Sequence, residues 1–251
     1  MLKRAGRSRT VAAWITFICL WEVIGRIAST AKLLPPPSAI FLAGAEIPKE
    51  LVRDSIATLW RVFLGYTAGG AVAIATGILV GRFAWARQTF GSVLNAFRAV
   101  PVVALVPVAI TWFGLGESSK VVLVFWGVFF PVWITAVIGS DAVDQQLIWA
   151  ARSLGASSMT VLLRVVLPAS FGSIFGGLRA GISIGFICVA AAEMAGAQSG
   201  LGYAINHSYM GFKTERMFAA LGCLTALGVG ADWLFVRCVR WLAPWYSGFR
   251  R

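Results

Sequence analysis

Charged residues are scarce in this chain, and their scarcity excludes an ordinary soluble domain. Only 13% of the 251 residues are charged, whereas 59% are hydrophobic and the mean hydropathy is +0.80. A soluble domain carries roughly 25% charged residues and about half apolar ones. The composition therefore predicts an integral membrane protein.

Residues that build metal and redox centres are also few. His207 is the only histidine, and we expect it to be solvated in a loop. Cys19, Cys188, Cys223 and Cys238 form no CxxC pair, and we interpret them as small buried hydrophobic residues. The sequence therefore predicts no metal site and no cofactor.

Nucleotide-binding motifs are missing as well. The chain has no GxxxxGKS or GxxxxGKT segment of the kind that holds ATP phosphates, and no HExxH pair. The GxG at Gly200–Gly202 is a weak signal on the predicted outer side. We therefore predict that the chain is not an enzyme and that a separate chain would hydrolyse ATP.

Basic residues outnumber acidic ones, with 22 Lys and Arg against 10 Asp and Glu, and the net charge is +12. In a soluble protein this excess would suggest a nucleic-acid partner. Here the basic residues cluster in short loops and tails, where they contact anionic lipid head groups. We therefore predict the lipid bilayer as a partner and no nucleic acid.

Long apolar runs predict an all-α membrane bundle, because a bilayer core of about 30 Å needs roughly 20 apolar residues per helix. Residues 1–10 form a basic tail, and residues 11–251 form a single transmembrane domain. Glu22 and Arg26 interrupt the first run, which favours a retained helix over a cleaved signal peptide. About six spans are predicted, at 11–28, 56–81, 99–115, 119–140, 173–196 and 217–239.

The distribution of Lys and Arg predicts the orientation of these spans. Basic residues are more frequent in the tails and in the loops after the second and fourth spans than in the remaining loops. The positive-inside rule then places both termini and the loop 141–172 in the cytoplasm. The outer loop 29–55 contains the stiff segment Pro35–Pro37 and a possible surface helix over 39–52.

Glycines repeat at four-residue spacing in two predicted spans. Gly177, Gly181 and Gly185 share one face of the fifth span, and Gly65 and Gly69 are spaced in the same way in the second. Small residues at this spacing let neighbouring helices approach closely. These faces can pack within one bundle, which we favour, or line a dimer seam or a solute pathway.

A charge inside the hydrocarbon costs several kcal/mol unless it is paired or hydrated, so each one needs an explanation. Glu22 and Arg26 are four residues apart, with the acid first, and are predicted to form an ion pair along one helix. Asp232 lies deep in the sixth span. We expect its partner to be an arginine of another span.

Three further charges inside the spans can serve either structure or transport. Arg61, near the outer end of the second span, can snorkel or can face an anionic solute. Arg179 lies roughly two turns inside the cytoplasmic end of the fifth span, and Glu193 lies near its outer end. We treat all three as candidate pathway or gate residues, with bracing of the bundle as the alternative.

The segment Trp149–Pro168 reads WAARSLGASSMTVLLRVVLP and has an unusual number of small residues for a loop between spans. Gly155 permits a sharp bend or a close contact, and Pro168 would start or stop a helix at the membrane edge. Arg152 and Arg164 can bind carboxylates or carbonyl groups. If the segment is helical, one small apolar face contains Ala150, Ala151, Leu154, Ala156 and Met159.

From periodicity alone, this segment can be an ordinary interfacial helix or a helix that inserts into a groove of a partner. Its spacing resembles the "EAA" cytoplasmic loop of permease subunits of bacterial ATP-binding-cassette (ABC) importers. The chain departs from that pattern at Trp149, where the family commonly has Glu. The residues that match are Ala150, Ala151, Gly155, Val165, Leu167 and Pro168.

Further stretches resemble the permease branch that includes sulfonate, taurine and nitrate importers. They are TLWRVFLGYTAGG from Thr58, VPVVALVPVAITWFGLGESSK from Val100, FFPVWITAVIGS from Phe129 and GLRAGISIGFICVAAAEMAGAQSGLGYAI from Gly177. The resemblance runs from about Leu34 to the end of the sixth span. It implies a type I importer permease fold in a bacterial inner membrane.

The resemblance also implies partners. In that family the permease works as a dimer, here most simply a homodimer. A pair of cytoplasmic ATPase subunits docks on one side and a periplasmic or extracellular solute-binding protein on the other. The ATPase-coupling loop would contain Ala150, Ala151, Arg152, Leu154, Gly155 and Pro168.

The function that follows is a permease subunit through which a small, anionic solute enters the cell. The main alternative is an ion-coupled secondary transporter that uses Glu22, Glu193 or Asp232, although such transporters usually show inverted halves with discontinuous helices. An intramembrane enzyme is a weaker alternative, because no nucleophile and base stand at helical spacing.

Overall fold

The computed structural model describes residues 2–27 and 34–243, and these residues are helical with short connections and no strand. The first five helices are α1 Leu2–Ile27, α2 Pro37–Glu46, α3 Pro48–Arg82, α4 Ala84–Phe97 and α5 Val102–Phe113. The others are α6 Glu117–Asp141, α7 Gln145–Ser153, α8 Ser158–Gly196, α9 Leu201–Met210 and α10 Thr214–Leu242. The predicted all-α fold class is confirmed.

Prolines and one acidic side chain set where the first helices begin. Pro37 and Pro48 occupy the first turns of α2 and α3, where a missing N–H costs no hydrogen bond. Glu22 of α1 caps α2, because its carboxylate accepts hydrogen bonds from N (3.0 Å) and Oγ (2.6 Å) of Ser38. Arg26 Nε donates to the same carboxylate over 2.6 Å, so the predicted Glu22–Arg26 pair is confirmed.

By length and composition, four described helices can cross a membrane, namely α3, α6, α8 and most of α10. The bent pair α4 and α5 would be a fifth if it forms one span. The first predicted span, 11–28, falls on α1 up to Ile27, and residue 28 lies outside the described residues. The number of six spans and the orientation of the termini stay predictions.

The third predicted span, 99–115, differs from the structure. Helices α4 and α5 meet at an angle of 87°, and residues 99–101 belong to the bend. Pro101 has an extended backbone there, with φ −63° and ψ 122°, and the first turn of α5 is a tight 3-10 turn. A residue before proline is disfavoured in the helical region, which explains why the helix breaks at this point.

The bundle core consists of α3, α6 and α8, which approach each other closely at glycines. A Cβ atom at Gly69 of α3 would lie 2.7 Å from the carbonyl oxygen of Phe125 on α6. A Cβ atom at Gly177 of α8 would lie 2.9 Å from the carbonyl oxygen of Pro131, also on α6. For these glycines the predicted packing within one bundle is confirmed.

The prediction that all four cysteines are buried is wrong for two of them. Cys188 is buried and Cys223 is half-buried, but Cys19 and Cys238 are exposed on α1 and α10, which lie at the periphery of the bundle. His207 is exposed as predicted. It lies on α9, however, so the predicted loop before the sixth span contains a helix of 10 residues.

We predict that Gly69→Ala destabilises the bundle whereas Gly176→Ala does not. A methyl group at residue 69 would meet the Phe125 backbone at 2.7 to 3.3 Å, so α3 and α6 must separate. Overpacking of this kind costs about 1–3 kcal/mol. A Cβ atom at residue 176 on α8 would meet nothing within 4 Å. Thermal unfolding of both variants in one detergent measures the difference, and equal Tm values would contradict it.

Candidate functional site

The predicted coupling loop begins with a capped helix. Asp144 precedes α7, and its carboxylate Oδ1 accepts a hydrogen bond from the backbone N of Gln146 over 2.8 Å. An acidic N-cap satisfies one of the free N–H groups at a helix start. Helix α7 then contains Ala150, Ala151 and Arg152, three of the predicted coupling residues.

Gly155 ends this helix in a left-handed turn, which is one form of the sharp bend that the sequence permits. Its φ is +79°, a value that costs an L-residue energy but not glycine. The N of Gly155 donates to the carbonyl of Arg152 (2.9 Å), and the N of Ala156 donates to that of Ala151 (3.1 Å). These two bonds are those of a Schellman motif, which closes a helix C-terminus.

The chain then starts a second helix almost at once. The Oγ of Ser157 accepts a hydrogen bond from the N of Thr160 over 3.2 Å and caps α8. The expected single helical face from Ala150 to Met159 is therefore wrong, because the positive φ of Gly155 breaks the helix in its middle. The segment is a helix–turn–helix corner with Leu154 and Gly155 at its tip.

Two apolar side chains fix this corner to the bundle. Ile148 of α7 is fully buried and Val161 of α8 is almost so. Both belong to a cluster that also contains Ile78 of α3, Ala136 of α6 and Ile174 of α8. The corner therefore packs against all three core helices.

The side of the corner that faces away from the bundle is exposed and apolar. Leu154 at the tip is 88% exposed. Ala150, Arg152 and Gly155 are exposed too, while Ala151 is half-buried against the bundle. The other large apolar side chains exposed here are Leu147, Trp149, Met159 and Leu163. Several large exposed apolar side chains close together in the sequence of a loop are typical of a docking surface.

Pro168 does not start the helix that contains it. Helix α8 begins earlier, at Ser158, and passes through a wide π turn at Leu162–Val166. Pro168 sits in the first turn of the regular α-helix that follows, where a missing N–H is tolerated. It is exposed on α8, away from the tip at Leu154.

A polar network lies at the opposite end of α6, which is about 37 Å long at 1.5 Å per residue. Its centre is Arg61 of α3, which is 2% exposed. The guanidinium Nε and Nη2 donate to the two carboxylate oxygens of Glu117 over 2.6 Å each. Its Nη1 donates to Glu193 Oε1 and to the carbonyl of Ser199 over 2.7 Å, and Nη2 also donates to Ser199 Oγ over 3.1 Å. All five guanidinium donors have acceptors.

Glu193 of α8 is the buried anion of this network, with a side chain that is 0% exposed. It accepts hydrogen bonds from Thr58 Oγ1 at 2.9 and 3.0 Å and from the backbone N of Gly202 at 2.8 Å. The predicted candidates Arg61 and Glu193 are thus in direct contact. A buried charge with this many partners is satisfied rather than strained.

The turn between α8 and α9 closes over the network. Gly200 has φ +112°, and a Cβ atom there would lie 2.4 Å from Glu193 and 2.6 Å from Arg61 Nη1. Its N donates to Asp54 Oδ1 of α3 over 3.1 Å. The GxG pattern that the sequence offered as a weak phosphate signal therefore makes room for an ion pair.

Arg179 lies apart from that network. Its Nε and Nη2 donate to the two oxygens of Asp232 on α10 over 2.7 and 2.9 Å, so the predicted pairing of Asp232 with an arginine of another span is confirmed. The two side chains are 45% and 35% exposed. Along α8, Arg179 is about 21 Å from Glu193 at 1.5 Å per residue.

Sequence reasoning missed several members of the network. Thr58 and Asp54 stand one and two turns before Arg61 on α3, a spacing that places polar groups on one helix face. That spacing was the available signal. Glu117 and Ser199 gave no such signal, because each is joined to Arg61 only through the tertiary fold.

The described residues form neither a hydrolase site nor a metal site. The pattern GxSxG occurs at Gly181–Gly185, but a hydrolase needs it at a sharp strand-to-helix turn, and here it lies inside the continuous helix α8. Within residues 2–27 and 34–243, no three His, Cys, Asp or Glu side chains come together as metal ligands would.

Comparison with known proteins identifies the family. The model of the family described as "Binding-protein-dependent transport system inner membrane component" matches residues 72–244. This match covers the coupling corner, Arg179, Glu193 and most of the core.

Individual relatives extend over most of the chain. A putative ABC transporter permease protein of Methanocaldococcus jannaschii is 34% identical, over 84% of this chain and 81% of that protein. A putative aliphatic sulfonates transport permease protein of Bacillus subtilis is 32% identical, over 98% of this chain and 91% of its own. The taurine transport system permease protein of Escherichia coli is 29% identical, over 95% of this chain and 90% of that protein.

Solved structures share the fold. The inward-facing MetNI methionine ABC transporter matches with a TM-score of 0.67 at 21% identity, over 78% of this chain and 97% of the other. An amino acid ABC transporter matches with a TM-score of 0.63 at 18% identity, over 82% of this chain and 98% of the other. The chain therefore belongs to the binding-protein-dependent transport system inner membrane components, and it is a permease subunit of an ABC importer.

Proposed function

We propose that this chain forms the pathway by which an ATP-driven importer takes up a small anionic solute of the sulfonate, taurine or nitrate type. The names of the relatives in B. subtilis and E. coli, which refer to aliphatic sulfonates and taurine, support this class of solute. The observation that carries the transport mechanism is the coupling corner. Its tip, Leu154, is 88% exposed, whereas its base, Ile148, is fully buried among the core helices.

The corner transmits force because of how it is built. An ATPase subunit that binds the exposed apolar side would push on Leu154 and on the exposed face of α7. Ile148 and Val161 pass that displacement to α3, α6 and α8, with which they are packed. A closely packed core does not absorb such a shift by local rearrangement. ATP binding can therefore bias the bundle between an inward-open and an outward-open state.

This mechanism implies which proteins the chain binds and how it lies in the membrane. ATP hydrolysis belongs to a separate ATPase dimer on the cytoplasmic side, where Ala150, Ala151, Arg152, Leu154 and Gly155 form the contact. A solute-binding protein delivers the solute at the opposite end. We further propose a homodimer of this chain in the bacterial inner membrane, with both termini in the cytoplasm as the positive-inside rule indicates.

The candidates Arg61, Glu193 and Arg179 divide into two roles in this proposal. Arg61 and Glu193 brace the end of the bundle that receives the solute, since they join α3 to α8. Arg179 and Asp232 neutralise each other between α8 and α10 while part of each remains exposed. This pair is suited to a hydrated pathway, because an exposed pair in hydrocarbon would be costly.

The alternative of an ion-coupled transporter is less well supported. It would need a carboxylate that binds and releases a proton or sodium ion during each cycle. Glu22 is bonded to Arg26 and Ser38, Glu193 to Arg61, and Asp232 to Arg179. An arginine already compensates each of these three charges.

We expect Leu154→Asp to leave the bundle folded and to weaken its complex with the ATPase. The side chain is 88% exposed, so the fold loses no core contact, but a carboxylate cannot enter an apolar groove without losing its water. The amount of ATPase that copurifies should fall about tenfold, which corresponds to about 1.4 kcal/mol.

Phe212→Asp provides the control for Leu154→Asp. Phe212 follows α9 at the other end of the bundle and is 93% exposed. Its substitution therefore removes an apolar surface comparable to that of Leu154. Its ATPase complex should match that of the wild type. Equal ATPase recovery with Leu154→Asp and wild type would remove the coupling corner from the proposal.

The turn at Gly155 can be tested by a pair of substitutions. Gly155→Val should impair ATPase binding and ATP-driven uptake, because a β-branched residue is strained at φ +79°. Gly155→Asn should retain most of both, because Asn tolerates the left-handed region. Copurification and vesicle uptake measure the two effects. If Val and Asn behave alike, the turn geometry is not what the ATPase needs.

The energy source decides between the two classes of transporter. We predict that proteoliposomes containing this permease, its ATPase and its binding protein take up solute only when ATP is present on the ATPase side. Uptake should persist after ionophores collapse the proton and sodium gradients. Uptake that follows an ion gradient without ATP would instead establish the secondary transporter.

A further inference from the structure

Arg61 holds two anions that differ sharply in their surroundings. Its Nη1 points into the bundle, where it binds Glu193 and the Ser199 carbonyl at 2.7 Å. Its Nε and Nη2 form a fork that binds both oxygens of Glu117 at 2.6 Å. The side chain of Glu193 is 0% exposed, whereas that of Glu117 is 63% exposed.

This asymmetry decides which bond can be exchanged. Moving Glu193 away would leave a buried charge without a partner, at a cost of several kcal/mol. Glu117 can trade its contacts with Arg61 for water, because its side chain is 63% exposed. The outer fork of Arg61 is therefore the replaceable half of the network.

Local charge makes a replacement anion favourable. Lys120 of α6 is buried, and its Nζ donates to the carbonyls of Leu115 (2.6 Å) and Gly116 (2.8 Å), so it stays beside Glu117. Two cations, Arg61 and Lys120, stand against two anions, Glu117 and Glu193. The remaining carboxylate of the network, Asp54, is paired with Arg53 over 3.3 Å. When Glu117 swings out, one positive charge is uncompensated, which suits a monoanion.

The fork also sets the shape of that anion. A guanidinium edge binds two oxygens of one planar or tetrahedral group in a bidentate manner. A carboxylate and a sulfonate both present such a pair of oxygens. A neutral solute can offer oxygen acceptors to the fork but cannot replace the negative charge of Glu117, and a cation offers neither.

We propose that Glu117 is a resident substitute for the solute and that a small monoanionic oxyanion, a sulfonate or carboxylate, displaces it from Arg61. Arg61 is then a specificity-determining residue at the end of the bundle that receives the solute. This inference rests on the proposed import of an anionic solute.

Displacement of Glu117 would also loosen the tip between α5 and α6, residues 114–116, from α3. The described bonds that join Arg61 to this tip all run through Glu117. Gly114, with φ +74°, and Gly116 have nothing within 4 Å of the position that a Cβ would take. Lys120 still ties Leu115 and Gly116 to α6, and Leu115 lies near Gly196 of α8. Departure of the carboxylate from Arg61 therefore removes the described hydrogen bonds between this tip and α3.

The first arm of the test is a rescue experiment on the intact transporter complex without ATP. Glu117→Gln should lower its Tm by roughly 2–4 °C, because the neutral side chain cannot satisfy the fork. Methanesulfonate should restore most of this loss in a saturable manner, and its neutral analogue dimethyl sulfone should not. Glu50→Gln removes an exposed carboxylate near the start of α3 that is not part of the network, and it should show no saturable response.

The second arm uses the wild-type complex. Methanesulfonate should increase hydrogen exchange at the backbone amides of residues 114–119, and dimethyl sulfone should leave it unchanged. Rescue together with faster exchange supports displacement of Glu117. Absence of rescue, or rescue without faster exchange, overturns the proposal. Neither arm needs ATP-driven uptake, so a failure here is distinct from a failure of the importer function.

Discussion

The contact of helix backbones at glycines is the constraint on which the rest of this structure depends. At Gly69 and Gly177 the helices α3 and α8 lie so close to α6 that a single added carbon would collide with main-chain oxygen atoms. Main-chain atoms cannot turn aside as a side chain can. The three helices are therefore closely coupled, and a displacement at one end of the unit is transmitted to the other end.

The two ends of this unit are held by different kinds of interaction. At the coupling corner the contacts of Ile148 and Val161 are apolar, and such contacts have little directional preference. At the other end Arg61 and Glu193 meet through hydrogen bonds of 2.7 to 3.0 Å with several partners. Those bonds require one register of α3 against α8. The apolar end can pivot while the polar end holds one arrangement or breaks.

Local features of the structure could be predicted from the sequence. The turn at Gly155, the Glu22–Arg26 pair and the need of Asp232 for an arginine all depend on a few neighbouring residues or on the cost of an isolated charge in a membrane. The close packing at Gly69 and Gly177 also followed from spacing. The family fold followed from several ordered stretches of sequence.

Features that depend on distant residues could not be predicted. Arg61 reaches Glu117 and Glu193 across 56 and 132 positions of the chain, and no helical spacing relates such residues. Pro101 marks a break before α5, but the angle of 87° could not be predicted, because hydropathy does not record backbone direction. The exposure of Cys19 and Cys238 depends on which helices lie at the periphery, which composition does not reveal.

The charges of Arg61 and Arg179 are both neutralised within the bundle, and this bears on the proposed import of an anion. Arg179 is neutralised by Asp232 over two hydrogen bonds. The charges of Arg61 and Lys120 are balanced by Glu117 and Glu193. A transport site must bind strongly enough to admit a solute and weakly enough to release it. A neutral ion pair allows release, whereas a lone arginine would trap an anion.

Strong binding requires a site where one partner of an ion pair can leave at low cost. Among the pairs of Arg61 and Arg179, that place is Glu117, whose side chain is 63% exposed and therefore returns to water easily. In the proposed mechanism, the net charge of +12 orients the protein in the membrane, and Glu117 selects the solute.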